Sequence, residues 1–222
     1  MLVGHFAVGL LAKRAAPRVS LGTLMLAAML ADLLLFVLLM AGIEHAQVAR
    51  GGLIAENIAW SHSLLTGAIW GALLAAAFFL WRRYPPGAWA LFAGVLSHWL
   101  LDFVSHKPDM PLAPGVHQYF GLGLWNSVPA TLVIEGGLWL VAVILYARAT
   151  RPKNRAGIFT YWGIVVLLTL AWINNIAGPP PNPSGFELQG LIFFSAAVAW
   201  FYWVNRLRPV VASASQAAGV SD

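Results

Sequence analysis

The sequence predicts an all-α fold: a polytopic membrane helix bundle of about six spans, with one short helix ahead of them. Three observations lead there. Of the 222 residues, 60% are hydrophobic and only 9% charged, where a soluble domain carries about 25% charged residues. Six stretches approach the roughly 20 apolar residues needed to cross a bilayer. The basic residues also fall in alternate loops, as membrane orientation requires. A mean hydropathy of +0.75 agrees. This composition excludes a soluble globular enzyme and a disordered protein. Cysteine is absent, which removes disulfides, thiolate metal sites and cysteine nucleophiles. The net charge is +5. It is spread over short loops rather than gathered on one soluble face, so no nucleic-acid partner is expected. Membrane lipid is the expected partner, and oligomeric state has no sequence signature.

The spans are read at 21–42, 63–81, 87–105, 127–147, 158–177 and 186–204. Lys13, Arg14 and Arg18 precede the first. Arg82 and Arg83 follow the second, and Arg148, Arg151, Lys153 and Arg155 the fourth. Arg206 and Arg208 follow the sixth. The other loops hold only Arg50 and Lys107. By the positive-inside rule the Arg-rich loops and the C-terminus are cytoplasmic. Loops 43–62, 106–126 and 178–185 then face outward from an inner, bacterial-type membrane. Trp81, Trp89, Trp162 and Trp203 mark the inner interface, Trp60 and Trp125 the outer one.

Residues 1–15 form an apolar helix too short to span, without the charged start or cleavage site of a signal peptide. Two placements remain open: re-entrant beside the first span, or flat on the inner surface. Pro17 separates it from the first span. Residues 178–185 (GPPPNPSG) read as a stiff polyproline-like loop. The organisation is one integral membrane domain, 1–208, with a disordered tail, 209–222.

A central intramembrane Asp costs about 2.5–3.5 kcal/mol, so ionisable residues inside spans point to function. Asp32, the His98/Asp102 pair and Glu135 are such residues. His98 and Asp102 stand four apart, which stacks them on one helix face. That spacing serves a shared divalent metal, and equally a hydrogen bond tying two turns. His62 begins the second span, with Ser61 expected to cap the helix. A helix N-terminus disfavours imidazolium, so His62 would stay neutral. Asp32 lies about 16 Å above the start of its span at 1.5 Å per residue. His5 lies about 12 Å above Lys13 if the first helix folds back. His5, Asp32, His62, His98 and Asp102 then meet near one level, in the outer half. Glu135 and His106 are secondary candidates for the same site, and His117 a weaker one. Glu44, His45 and Glu56 are expected to be solvated, and Asn174 and Asn175 to serve as interhelical glue.

The stretches GHFAVGL (4–10), AAMLADLLLF (27–36), WSHSLLTG (60–67) and GVLSHWLLDFVSHKP (94–108) carry a resemblance. In this order they resemble the YdjM-type inner-membrane metal-dependent hydrolases, distantly similar to the zinc-dependent phospholipase C and P1-nuclease group. The resemblance implies a metal site of Asp32, His62, His98 and Asp102, with His5 on a neighbouring metal. The chain departs from the family where Ala31-Asp32-Leu33-Leu34 replaces Pro-Asp-x-Asp, and where Ile58-Ala59 replaces an Arg-Gly. Thr131 also stands where a His would complete a pair with Glu135. One or two metals, rather than three, are therefore expected.

The reading is a membrane-embedded, zinc-dependent hydrolase. Asp32, His62 and Asp102 are its catalytic candidates, and a phosphoester or ester of a lipid-like molecule its expected substrate. Zinc suits His and carboxylate ligands. A proton- or metal-coupled transporter or sensor using the same cluster is the alternative. A haem held by His62 and His98 would leave the Asp pair without a role. A serine hydrolase is disfavoured, because the chain lacks G-x-S-x-G.

Overall fold

The structure, a computed structural model, describes residues 1–49, 52–179 and 182–211. Nine helices are described, α1 (Leu2–Ala15), α2 (Leu21–Ala28), α3 (Leu30–Met40), α4 (Ala59–His62), α5 (Leu64–Arg82), α6 (Pro85–Ser105), α7 (Val128–Ala149), α8 (Arg155–Ala177) and α9 (Phe186–Leu207). Helices α5 to α9 are each long and apolar enough to cross a membrane, and the α2–α3 pair, bent by 56° at its break, passes the same test only when taken together, as a broken span or a re-entrant loop. Five of the six expected spans are single helices, and a bent helix pair stands where the first was expected.

Two small antiparallel hairpins decorate the bundle, which the sequence had as plain loops. Strands β1 (His45–Ala49) and β2 (Gly52–Asn57) pair Ala46 with Ala55, and β3 (Met110–Pro111) and β4 (Tyr119–Phe120) pair Met110 with Phe120.

The break in the first span has a cause outside that span. Ala28 ends α2, where a helix leaves carbonyls without intrahelical donors. Its oxygen lies 2.7 Å from His98 Nδ1 on α6. A side chain that captures a ladder carbonyl bends a helix, and here the new helix α3 starts at Leu30, with Asp32 in its first turn.

Helix α1 lies inside the bundle. Val3, Phe6, Ala7 and Leu10 are fully buried, and Phe6 packs 6.2 Å from Phe194 and 5.9 Å from Phe201, centroid to centroid, on α9. That burial excludes the flat surface placement and leaves the inserted one. At its far end Lys13 Nζ donates to Pro17 O at 3.0 Å and Val19 O at 2.5 Å, so a buried ammonium is satisfied by the carbonyls of the turn into α2.

Pro209–Val211, expected within the tail, are tied down. Arg151 N donates to Pro209 O at 3.1 Å and Val211 N to Ala149 O at 2.9 Å. The rest of the expected tail, 212–222, lies outside the described residues, as do 180 and 181 of the Pro-rich loop. Trp60, Trp81, Trp89, Trp162 and Trp203 are exposed, as lipid-interface anchors would be, whereas Trp125 is half-buried.

Gly94 lets α6 approach α2 closely enough for the His98 contact: a Cβ there would stand 3.3 Å from Ala27 Cβ. Gly67, also buried and helical, would meet nothing within 4 Å. Gly94→Val should therefore lower the melting temperature in detergent. Gly67→Ala should leave it unchanged or raise it, since Ala in a helix interior gains about 0.5–1 kcal/mol over Gly.

Candidate metal centre

Four elements deliver the cluster. The first turn of α1 carries His5, the first turn of α3 carries Asp32, α4 ends on His62, and α6 presents His98 and Asp102 one turn apart. All five side chains converge. His98 Nε2 lies 3.2 Å from Asp102 Oδ2 and 3.5 Å from Asp32 Oδ1. His62 Nε2 lies 3.5 Å from Asp32 Oδ1 and 3.8 Å from Asp102 Oδ2. His5 Nε2 lies 3.1 Å from Asp102 Oδ1, and its ring stacks on His98 at 3.7 Å between centroids. His5, His62, His98 and Asp102 are each at most 5% exposed.

Two overlapping sets have ligand atoms within 4.8 Å of one another: His5, Asp32 and His98, and His62, His98 and Asp102. They share His98, and the two oxygens of Asp102 face different neighbours. Oδ2 faces His62 and His98, while Oδ1 faces His5 and the Met1 amino nitrogen at 2.5 Å.

The hydrogen bonds of the rings decide what the cluster can hold. A neutral His98 that donates from Nδ1 to Ala28 O leaves a lone pair on Nε2. That lone pair faces two carboxylates. Among the described residues, His98 Nε2 and His5 Nδ1 are buried without a hydrogen-bond partner. Lone pairs facing one another inside a bundle repel; the Met1 amino group meets Asp102 Oδ1 and His5 Nε2, and a cation among the rest, either a metal ion or a ring proton, removes the remaining repulsion. Backbone support of the remote nitrogen is also how metal-ligating histidines are commonly oriented. The donor set of imidazole nitrogens and carboxylate oxygens therefore fits a divalent ion.

The secondary candidates fall outside these sets. Glu135 is 1% exposed, and its Oε1 accepts from Gly4 N at 3.3 Å. It places a carboxylate at the N-terminus of α1, where the helix dipole favours it. Thr131, one turn before it, donates to Ser127 O at 2.9 Å. His106 sits at the rim, with Nε2 4.0 Å from Asp102 Oδ1 and Nδ1 3.0 Å from Asp109 Oδ1. His45 and His117 are exposed.

Two sequence expectations are corrected here. Ser63, not Ser61, caps α5, accepting from Thr66 N at 3.2 Å. Glu44, expected to be solvated, is 1% exposed and accepts from Ser61 Oγ at 2.6 Å. An acid just past an apolar span reads as a solvated loop residue, and only the hydroxyl beside His62 hinted at a buried polar network. The contact of Asp102 with the Met1 nitrogen left no such hint.

A cavity of about 140 Å³ opens against the cluster. His5, Asp32 and Asp102 line its polar side, and Phe36, Phe186 and Phe194 its apolar side.

These features define a polytopic membrane protein with a buried His/Asp centre able to hold a metal ion. The chain belongs to the YdjM inner membrane protein family, whose profile matches residues 1–177. The match ends where α8 ends and contains every residue of the cluster. Neither a curated protein nor a solved structure matches the chain.

The purified protein should carry a roughly stoichiometric divalent metal ion by elemental analysis. His98→Ala and Asp102→Ala should abolish it, and Glu135→Gln should retain it. Metal kept by both cluster variants would contradict the assignment.

Proposed function

We propose that this protein is a membrane-embedded metal-dependent hydrolase acting on a phosphoester or ester of an amphiphilic, lipid-like substrate. The observation that carries the reading is the orphaned Nε2 of His98, aimed at Asp32 and Asp102. Asp32, His62, His98 and Asp102 would hold the ion, with His5 beside them. Zinc supplies Lewis acidity in such a set, polarising a phosphoryl or acyl oxygen and bringing the pKa of a contacting water to about 7.

The protein's own groups do the rest. Asp32 has the most accessible side chain among the four ligands named, 19% exposed, and lines the cavity. It is the group placed to take a proton from an attacking water. Asp102, with contacts on both oxygens, holds the histidines in register. Phe36, Phe186 and Phe194 supply a wall for acyl chain, and they exclude water behind the reacting group. No Lys or Arg lines this cavity among the described residues, so a phosphoryl charge would be met by the metal rather than by a side chain. On α1, His5 sits at the opposite end from Lys13 and Arg14. With those basic residues on the cytoplasmic side, the site faces the outer half of an inner membrane.

A second reading has its own observation. The bend between α2 and α3 leaves Asp32 in the first turn of a half-helix, a geometry that transporters use at ion sites. A proton- or metal-coupled transporter or sensor would use the same cluster.

Purified protein should cleave a lipid-like phosphoester or ester, and a chelator should stop it. Asp32→Asn should lower kcat by about 10²–10⁴-fold, the range for a lost proton acceptor. Bound metal with no turnover over a broad ester and phosphoester panel would contradict hydrolysis. Metal or proton flux in proteoliposomes would then support the second reading.

A further inference from the structure

His62 owes its orientation to a buried carboxylate in the segment that follows α3. Glu44 is 1% exposed. Its Oε1 accepts from the backbone nitrogens of Trp60 at 2.8 Å and Ser61 at 2.9 Å. Its Oε2 accepts from Ser61 Oγ at 2.6 Å. Ser61 Oγ in turn lies 2.8 Å from His62 Nδ1. The same carboxylate therefore joins the segment following α3, the helix that carries Asp32, to α4, which carries His62.

The direction of these bonds is set by counting protons. An ionised carboxylate only accepts. The single hydroxyl proton of Ser61 goes to Glu44, and its other acceptor in reach is Ile58 O at 3.3 Å. In either case the hydroxyl turns a lone pair toward His62. Nδ1 must then carry a ring proton, and in the neutral ring Nε2 is left bare, 3.5 Å from Asp32 and 3.8 Å from Asp102.

We infer that Glu44, acting through Ser61, is a positioning residue that fixes the proton of His62 on Nδ1, so that Nε2 is presented to the cluster as a ligand. The inference rests on reading the cluster as a metal centre. His98 reaches the same state by a shorter route, through Ala28 O. A partner of this kind is worth about 10–100-fold in metal affinity.

Glu44→Gln separates this role from simple anchoring of the backbone. The amide oxygen still accepts from Trp60 and Ser61 nitrogens, but the amide nitrogen donates to Ser61 Oγ. The hydroxyl proton then turns to His62 Nδ1, at 2.8 Å the nearer of its two remaining acceptors against Ile58 O at 3.3 Å, and drives the ring proton onto Nε2, toward the metal. Zinc affinity of Glu44→Gln should fall by about 10–100-fold, with the melting temperature of the zinc-free protein unchanged. Ser61→Ala, which removes the relay without reversing it, should lose less. Adding Ser61→Ala to Glu44→Gln should recover affinity to the level of Ser61→Ala alone. Nitrogen NMR of the zinc-free protein should place the His62 proton on Nδ1 in wild type and on Nε2 in Glu44→Gln.

Wild-type zinc affinity in Glu44→Gln, or a double variant no better than Glu44→Gln, would overturn the inference. If Asp102→Asn loses zinc while Glu44→Gln keeps it, the metal centre stands and the role of Glu44 falls. If wild type binds no zinc, the metal centre falls, and the ring NMR still decides where the proton sits.

Discussion

Three imidazoles and two carboxylates crowded into one volume inside a membrane bundle form the constraint around which this protein is organised. Lipid offers such groups no solvation, so the bundle must enclose them and something cationic must reconcile them. Several otherwise odd features follow. The first span breaks at Met29 because His98 takes the Ala28 carbonyl, and the break delivers Asp32 at the start of a new helix. A glycine stands at 94, one turn before His98, because α6 must touch α2 there. Helix α4 is a single turn that ends on His62 before Ser63 starts α5.

Helix α1 is the other consequence. It is too short to span, yet Phe6 and Leu10 sit at the centre of the core between α2, α7 and α9. Its first turn brings His5 beside Asp102, and its N-terminus is met by Glu135 from α7. Burial of its apolar face and satisfaction of its N-terminal amides hold it in place, and the same contacts hold His5 against His98. The fold and the site are thus stabilised by one set of interactions.

Much of this was legible in the sequence, for local reasons. Six apolar stretches and the alternation of basic loops write the bundle directly. The four-residue spacing of His98 and Asp102 places both on one face wherever the helix goes. Depth arithmetic on Asp32, His62 and His98 then gives a common level, because membrane helices are nearly parallel. What escaped the sequence depends on partners far along the chain. The break at Met29 has no Pro or Gly to announce it, since its cause sits on α6. Glu44 reads as a loop acid until Ser61 is seen beside it. The two open placements of α1 differ only in tertiary packing. The hairpins from His45 to Asn57 and from Met110 to Phe120 carry turn dipeptides, Gly51-Gly52 and Pro114-Gly115, but their flanking strands are too short and irregular in pattern to read as more than loops.

The most direct measurement is X-ray absorption at the zinc edge of the purified protein. The account predicts a bound ion with imidazole nitrogens and carboxylate oxygens at about 2.0–2.2 Å, and loss of the imidazole scattering in His62→Ala, His98→Ala. Purified, zinc-supplemented protein with no bound ion, or an ion whose shell is unchanged when both histidines are removed, would contradict it.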